Sequence, residues 1–180
     1  VVLGNHEFVS NDKVELDELI SYYKKYNMPI LSANTYYTDG KSYTKPYVIK
    51  KIQTDYGPVN LGILGLTIKE VGESKDFVGG KLVDAKSREL KDQYGFENKL
   101  YMNDMVKDSK KWVNEMKKDN ADVIVAVVHS GEKPNKPKNP GNRIQEIARE
   151  VYGIDAIVAS HTHKHFTQHD YENKSGENVI

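Results

Sequence analysis

The hydrophobic residues of this chain fall into runs that each end at polar side chains. Three such runs cover residues 1–3, 122–128 and 154–160. The residues that follow them are Asn5 and His6, then His129, then His161 and His163. Short apolar runs rich in β-branched residues are typical of buried strands. Because an α/β sheet gathers its ligands at the carboxyl ends of strands, we expect these side chains to lie along one edge.

Apolar residues at helical spacing predict three helices. The first opens at a capping box formed by Asp12 and Glu15. Two further apolar stripes cover residues 102–116 and 144–151, and Gly153 follows the second stripe as a C-cap. The stripe at 102–116 is rich in Met and Trp, and we interpret it as core packing.

Shorter apolar segments predict additional strands. We expect a buried strand at residues 30–34 and a hairpin formed by residues 47–53 and 59–66. A weak helix is expected over residues 84–94, and a Pro-rich loop over residues 132–141. The alternation of strands and helices indicates an α/β fold.

Composition narrows the functional classes. A chain of 180 residues suits a single domain, here taken as residues 1–180. Lys and Arg together number 26, as do Asp and Glu, so the formal net charge is zero. The chain as a whole therefore has no electrostatic attraction for a nucleic acid polymer. The absence of cysteine excludes disulfides and thiolate metal sites. No apolar stretch is long enough for a membrane span.

Both ends of the chain suggest a longer protein. The chain opens within an apolar run and ends at Asn178-Val179-Ile180, which resembles the start of a strand. We therefore expect an internal fragment of a catalytic domain. Such a fragment should be inactive or nearly so by itself, and only partly stable, because missing strands leave sheet edges open.

The histidines at the strand ends are candidate metal ligands. Four of the six histidines occupy such positions. Imidazole nitrogens together with an amide oxygen suit a borderline divalent metal such as Mn, Fe, Co, Ni or Zn. A dinuclear centre would also need carboxylates, and none stands at an equivalent strand end.

Three short motifs resemble those of calcineurin-like metallophosphoesterases. They are Gly4-Asn5-His6-Glu7, Val128-His129-Ser130-Gly131 and Ser160-His161-Thr162-His163. Segments 4–8, 30–34, 62–67 and 121–131 are more narrowly similar to the 5'-nucleotidase and 2',3'-cyclic-nucleotide phosphodiesterase branch. The resemblance runs from Val1 to about Phe166, and the order and spacing of the motifs together make it specific.

The resemblance implies a partial four-layer α/β/β/α sandwich with two divalent metal ions. Asn5, His129 and His161 would bind one ion and His163 the other. His6 would face the phosphate, stabilise the transition state and assist the leaving oxygen. The family completes its site with Asp-x-His and Gly-Asp motifs that this sequence does not contain. The implied reaction is attack of a metal-activated hydroxide on the phosphorus of a nucleotide phosphoester.

The resemblance also implies partners and location. The substrate would be a small nucleotide, and its base would be held by a C-terminal specificity domain in the full-length protein. Relatives of this branch lead us to expect an extracellular, cell-wall-attached or periplasmic protein.

Two residues depart from the family pattern. Some relatives have Asp or Asn three residues after the catalytic His, where this chain has Val9. Asn11 or Asp12 could instead orient the His6 ring. Ser160 stands where the family usually has Gly, and a positive φ there would add strain.

The other polar residues are interpreted as structural or solvent-exposed and not as part of the site. His165 and His169 are interpreted as solvent-exposed, and Asn34 as hydrogen-bonded to backbone in a turn. Asn142 is interpreted as part of a helix start. Ser130 follows His129, but no acid partner is evident, so a Ser-His hydrolase is rejected.

The sequence leaves two other functions open. The chain could be a catalytically inactive metal- or ligand-binding surface module of the same fold. It could also keep the chemistry and act on a sugar nucleotide or another small phosphodiester.

Overall fold

The computed structural model describes residues 1–9, 11–71, 75–78, 81–84, 89–133 and 141–180. The helices are α1 (Lys13–Lys25), α2 (Met105–Lys118) and α3 (Ile144–Glu150), with short 3-10 helices at Asn5–Glu7 and Leu90–Asp92. The strands are β1 (Thr35–Tyr37), β2 (Tyr47–Thr54), β3 (Gly57–Thr67), β4 (Lys75–Val78), β5 (Lys81–Asp84), β6 (Leu100–Met102), β7 (Val123–His129), β8 (Ala156–Ala159), β9 (Tyr171–Glu172) and β10 (Asn178–Val179). The expected α/β class is confirmed.

The main sheet has the strand order β2-β3-β7-β8. β2 and β3 form the predicted antiparallel hairpin, whereas β3, β7 and β8 run parallel. In this register Thr67 pairs with His129, and Val128 pairs with Ala159. The carboxyl ends of three parallel strands therefore meet at one edge, which is where the sequence placed the candidate site.

The main sheet packs against α2 and α3, and the buried side chains between them form a hydrophobic core. Residues alternate between buried and half-buried along β7, as expected for a strand with one face against helices. The buried members of this core include Leu64, Leu66, Ile124, Ala126 and Val128 from the sheet and Met105, Val113, Met116, Ile147 and Ala148 from the helices. Both helices were predicted from their apolar spacing, and both are confirmed.

A second core surrounds α1 and fixes the start of the chain. Asp12 caps α1 by accepting from the backbone of Val14 and Glu15, as the capping box predicted. Leu3 and Phe8 are 1% exposed and pack in the same cluster as Leu16 of α1. This packing anchors both ends of the segment that carries Asn5 and His6.

Two of the predicted strands are not regular strands in the structure. Val2 and Leu31 form a single parallel bridge, and Leu31 makes one more with Lys45, so neither residues 1–3 nor residues 30–34 form a regular strand. Residues 30–34 are nevertheless buried, as expected. Side-chain hydrogen bonds replace the strand ladder here: the Ser32 hydroxyl lies 2.6 Å from that of Thr35 and 2.8 Å from that of Thr67.

The weak helix expected over residues 84–94 is wrong in its described part. Asp84 ends β5, Glu89 is extended, and only a 3-10 turn follows at Leu90–Asp92. Leu90 and Phe96 are both fully buried, so this short turn already places its apolar side chains in the second core. Residues 85–88, and residues 134–140 of the Pro-rich loop, lie outside the described residues. Within the described ranges, no helix is long and apolar enough to cross a bilayer.

Replacing Asn34 with alanine should destabilise the fold by about 3 kcal/mol. Asn34 is fully buried; its amide donates to the Thr67 carbonyl at 2.8 Å and accepts from the Thr67 backbone N–H at 3.0 Å. The substitution would leave buried backbone groups without partners, and each costs about 1–3 kcal/mol. Urea unfolding measures the change.

Asn114 provides the matched control for that experiment. It is exposed on α2, so Asn114→Ala should change stability by less than about 0.5 kcal/mol. Equal stability of Asn34→Ala and the unsubstituted chain would refute the assigned role. The backbone interpretation of Asn34 is confirmed by these contacts.

Candidate metal centre

Three segments meet at the carboxyl edge of the main sheet. β7 ends at His129, and β8 ends at Ala159, so that Ser160 and His161 follow directly. The N-terminal segment reaches the same edge because the Thr67 hydroxyl donates to the Leu3 carbonyl at 2.9 Å. Residues separated by more than a hundred positions in sequence thereby become neighbours.

The ring of His129 lies between the other two candidate ligands. Its Nε2 is 2.9 Å from Oδ1 of Asn5 and 3.3 Å from Nδ1 of His161. The two rings meet edge to face, with centroids 5.1 Å apart. Three atoms that can each offer a lone pair therefore converge on one point, as the sequence predicted for Asn5, His129 and His161.

The surroundings of His129 keep its imidazole neutral. Burial lowers the pKa of His129 to about 4, and the neighbouring His161 adds to the lowering, while the Glu7 carboxylate opposes it. His6 and His163 lower this pKa further, which places both within electrostatic range of the ring. A histidine must be unprotonated to bind a metal, and at neutral pH this one is.

The chemistry of this donor set fits a borderline divalent cation. Neutral imidazole nitrogens and an amide oxygen are the ligands that Mn, Fe, Co, Ni and Zn accept. Over the described residues, no group of three His, Cys, Asp or Glu side chains is arranged to hold a metal, since the third donor here is the amide of Asn5. The residues present thus form an incomplete shell for one cation.

His6 and His163 lie at the margin of this cluster. Both are exposed, and His6 belongs to the 3-10 helix that also carries Asn5. The proposed partners of the His6 ring have other roles: Asn11 donates from its side-chain amide to the backbone carbonyls of His6 and Glu7, and Asp12 caps α1. Asn11 therefore braces the backbone of the turn.

Sequence reasoning overlooked Gly4 and Glu7 as parts of this site. The Gly4 N–H donates to Oε2 of Glu7 at 2.6 Å, which closes the turn around Asn5. A Cβ atom on Gly4 would lie only 2.7 Å from Cε1 of His129. Glu7 follows Gly4 by three residues, which is the spacing of a capping box, and that pattern could have revealed the brace.

Backbone strain lies at the histidines. His161 has φ 76° and His163 has φ 55°, whereas Ser160 is not among the residues with positive φ. The strain considered for Ser160 is therefore found one and three residues further along the chain, at His161 and His163. Left-handed non-glycine residues cluster at functional sites, where the surrounding structure holds them.

His163→Gly should raise the free energy of unfolding by about 1 kcal/mol. His163 is exposed, so little packing is lost, and glycine adopts positive φ without the cost of about 1–2 kcal/mol that an L side chain carries. His163→Ala removes the same ring but keeps the strained backbone. If thermal or urea unfolding finds glycine no more stable than alanine at this position, the strain is not real.

The remaining polar candidates have structural partners. The Ser130 hydroxyl donates to the Gly141 carbonyl at 2.7 Å and accepts from the Arg143 N–H at 3.0 Å, which agrees with rejecting it as a nucleophile. Asn142 precedes α3 and accepts from the Gly131 N–H at 3.2 Å, so it braces the loop after His129. His165 is exposed, as expected.

His169 has a partner that the sequence did not suggest. It is exposed, as expected, but its Nδ1 lies 2.7 Å from Oε1 of Glu132, which also accepts from the Tyr171 hydroxyl. Its ring stacks on Phe166 with centroids 4.3 Å apart. Glu132 thereby ties the segment after His163 to the loop after His129.

Comparisons with known proteins point to one family. Residues 1–165 match the family described as calcineurin-like phosphoesterase. The chain is 30% identical to the trifunctional nucleotide phosphoesterase protein YfkN of Bacillus subtilis, over 98% of this chain and 11% of that protein. It is 26% identical to a 2',3'-cyclic-nucleotide 2'-phosphodiesterase/3'-nucleotidase of Haemophilus influenzae, over 99% of this chain and 25% of that protein.

A solved structure agrees with the sequence matches. The crystal structure of calcineurin-like phosphoesterase YfkN from Bacillus subtilis superposes with a TM-score of 0.72 at 28% identity. The superposition covers 93% of this chain and 46% of that one. The chain thus spans a quarter or less of the two curated relatives and about half of this structure.

Proposed function

The chain belongs to the calcineurin-like phosphoesterase family, and we propose that it supplies metal-binding residues to a hydrolase of nucleotide phosphoesters. The substrates would be 2',3'-cyclic nucleotides and 3'- or 5'-nucleotides, a class that the names of its relatives support. The observation that carries the proposal is the convergence of Asn5, His129 and His161 at the sheet edge.

The proposed ligand roles follow this cluster. Asn5, His129 and His161 hold one divalent cation, and His163 contributes to a second, with Mn, Zn, Fe, Co or Ni as candidates. When bound, such cations polarise phosphoryl oxygens and lower the pKa of a coordinated water. The neutral state of His129 leaves its lone pair ready for this role.

His6 is proposed as the residue that acts on the substrate. It neighbours Asn5 in the same short turn, and it is exposed, so a phosphate group could approach it from solvent. A protonated imidazole there would stabilise charge on the phosphoryl oxygens and deliver a proton to the leaving oxygen. The brace from Asn11 to the backbone of the turn limits movement of this segment.

Substrate selection and location are also proposals. We assign recognition of the base to a C-terminal specificity domain outside this chain, because the chain spans only a small part of its relatives. We place the full-length protein outside the cytoplasm, as an extracellular, cell-wall-attached or periplasmic enzyme.

A second function is favoured by one observation. Because no three His, Cys, Asp or Glu side chains cluster as metal ligands among the residues the structure describes, the chain could bind one cation without turnover. It would then be a surface module of the same fold.

One experiment separates the two functions. The full-length protein that contains this chain is stripped with EDTA, reloaded with Mn²⁺ or Co²⁺, and assayed with 2',3'-cyclic AMP, 3'-AMP, 5'-AMP and bis(4-nitrophenyl) phosphate. Metal-dependent phosphate or nitrophenol release supports the hydrolase. Binding of Mn²⁺ without turnover favours the module, and failure to bind any of the divalent metals refutes both.

A further inference from the structure

The backbone of the N-terminal segment loses its neighbour at Leu3, just before the turn that carries the candidate ligand. The Leu31 N–H donates to the Val1 carbonyl at 2.8 Å, as part of a parallel bridge. A continued parallel ladder would direct the Ala33 N–H at the Leu3 carbonyl. That N–H donates instead to the Gly65 carbonyl at 2.7 Å. Because Leu3 is buried, its carbonyl needs another donor.

The hydroxyl of Thr67 supplies this donor, at 2.9 Å from the Leu3 carbonyl oxygen. Thr67 is the last residue of β3, is fully buried and pairs with His129 in the sheet. Its own backbone is held by the side chain of Asn34 through bonds of 2.8 and 3.0 Å, which limits movement of the hydroxyl. One side-chain bond therefore joins the N-terminal segment to the main sheet beside a candidate metal ligand.

The direction of this bond is set by the buried hydroxyls behind it. A carbonyl oxygen can only accept, so Thr67 donates its single hydroxyl proton to Leu3. Ser32, 2.8 Å away, must then donate to Thr67, and Thr35, 2.6 Å from Ser32, must donate to Ser32. All three hydroxyl residues are fully buried. Hydrogen bonds that point the same way along a chain strengthen one another, so the last of them is a firm anchor.

The peptide group between Leu3 and Gly4 is held from both sides. Thr67 binds its carbonyl oxygen, and Oε2 of Glu7 accepts from its N–H at 2.6 Å. A peptide group is planar, so fixing both ends fixes the direction in which the chain enters the turn. A rotation of this group would move Asn5 out of the candidate metal centre.

We propose that Thr67 is a positioning residue whose hydroxyl fixes the Leu3–Gly4 peptide and thereby places Asn5 as a cation ligand. The inference deepens the proposed function and rests on it for the presence of a cation. Glu7 closes the turn from within the same segment, whereas Thr67 sets the position of that turn relative to the main sheet. Without the hydroxyl, the turn would keep its shape but lose its alignment with the ligands of the sheet.

Titration calorimetry with Mn²⁺ on the full-length protein that contains this chain tests the role. Thr67→Val keeps the shape of the side chain and removes the donor, and it should bind Mn²⁺ about tenfold more weakly, as expected when an outer partner of a ligand is lost. Thr67→Ser keeps the hydroxyl and should bind normally. Ser32→Ala is the matched control, because it removes a buried hydroxyl from the same chain of bonds but leaves the bond to Leu3. It should lose stability in urea and bind Mn²⁺ normally.

Hydrogen exchange of the metal-free protein, followed by mass spectrometry, gives a readout that needs no cation. In Thr67→Val, peptides covering residues 1–9 should exchange about tenfold faster than in the unsubstituted protein, because a local anchor is lost, whereas those covering residues 123–129 should keep their rate. Ser32→Ala should leave both rates unchanged. Thr67→Cys, whose thiol is a weak donor, should give intermediate values, and it replaces the valine variant if that variant does not fold.

The outcomes separate this inference from the proposed function. Normal Mn²⁺ affinity or unchanged exchange at residues 1–9 in Thr67→Val overturns the role of Thr67 and leaves the hydrolase proposal standing. An equal loss of affinity in Ser32→Ala or in Thr67→Ser also overturns it, because the loss would then not follow the hydroxyl that binds Leu3. Faster exchange confined to residues 1–9, in a protein that binds no Mn²⁺ even when unsubstituted, shows that Thr67 anchors the turn and refutes the metal site.

Discussion

In the full-length protein, His129→Ala is expected to abolish Mn²⁺ binding at this cluster and to lower phosphate release from nucleotide phosphoesters by about 10²–10³-fold or more. Removing a single preorganised group that stabilises developing charge already costs this much in other hydrolases. His129 is also the shared member of the cluster, since its Nε2 contacts both Asn5 and His161. Its loss therefore leaves the other two donors without a common neighbour.

The control for this substitution is His165→Ala. His165 is exposed and follows His163 by two residues, so its removal changes the same residue type near the same loop. We expect unchanged Mn²⁺ binding and activity there. Metal-dependent turnover of His129→Ala at the level of His165→Ala would exclude His129 as a ligand. Circular dichroism confirms that both variants are folded before they are compared.

The sequence was sufficient to assign the candidate ligands to one edge of the sheet because strand ends are local features. The apolar runs before His129 and His161 predicted buried strands of an α/β sheet, and the structure shows β7 and β8 side by side and parallel. Parallel neighbours bring their carboxyl ends together, so two imidazoles could be assigned to one edge without coordinates. Asn5 was assigned to the same edge from the order of the motifs. The segment before it forms only an isolated bridge, at Val2, and not a regular strand.

The sequence could not predict what surrounds the ligands, because those contacts depend on packing between distant segments. No pattern shows that Gly4 lies against the ring of His129, 125 positions away, or that the Ser160 hydroxyl approaches its Nδ1. Backbone strain was sought at Ser160 but lies at His161 and His163, because conformation at a strand end is set by the loop that follows. Propensity gives little information at such positions.

The expected helix over residues 84–94 failed for a related reason. Apolar side chains are sparse there, since only Ala85, Leu90 and Tyr94 interrupt the polar residues, and the pattern does not specify one structure. Burial of Leu90 and Phe96 in the second core favours a short turn. Tertiary packing overrides a weak local preference of this kind.

The helix predicted from the stripe at 102–116 is observed as Met105–Lys118, with Met102 in β6 instead. It was recognisable because its apolar stripe is long and its face is buried against the sheet.

In the full-length protein, Gly4→Ala should lower Mn²⁺ affinity and phosphate release by about 10²-fold while leaving the fold intact. Gly4 has φ −104° and ψ −174°, an extended conformation that alanine adopts freely, so the backbone itself does not require glycine. The added methyl would lie 2.7–3.0 Å from three atoms of the His129 ring. The ring can rotate away, but then its Nε2 leaves Asn5 and His161, and a displacement of about 1 Å costs about 10²-fold in rate.

Gly40→Ala is the complementary control. Gly40 has φ +86° and open space around it, so alanine there strains the backbone without touching the site. We expect Gly40→Ala to lose stability in urea unfolding and to bind Mn²⁺ normally, and Gly4→Ala to show the reverse. Isothermal titration and unfolding of the two variants measure both quantities. Normal Mn²⁺ affinity in Gly4→Ala would show that the position of the His129 ring does not decide cation binding, and the close approach of Gly4 would then have no role in the metal centre.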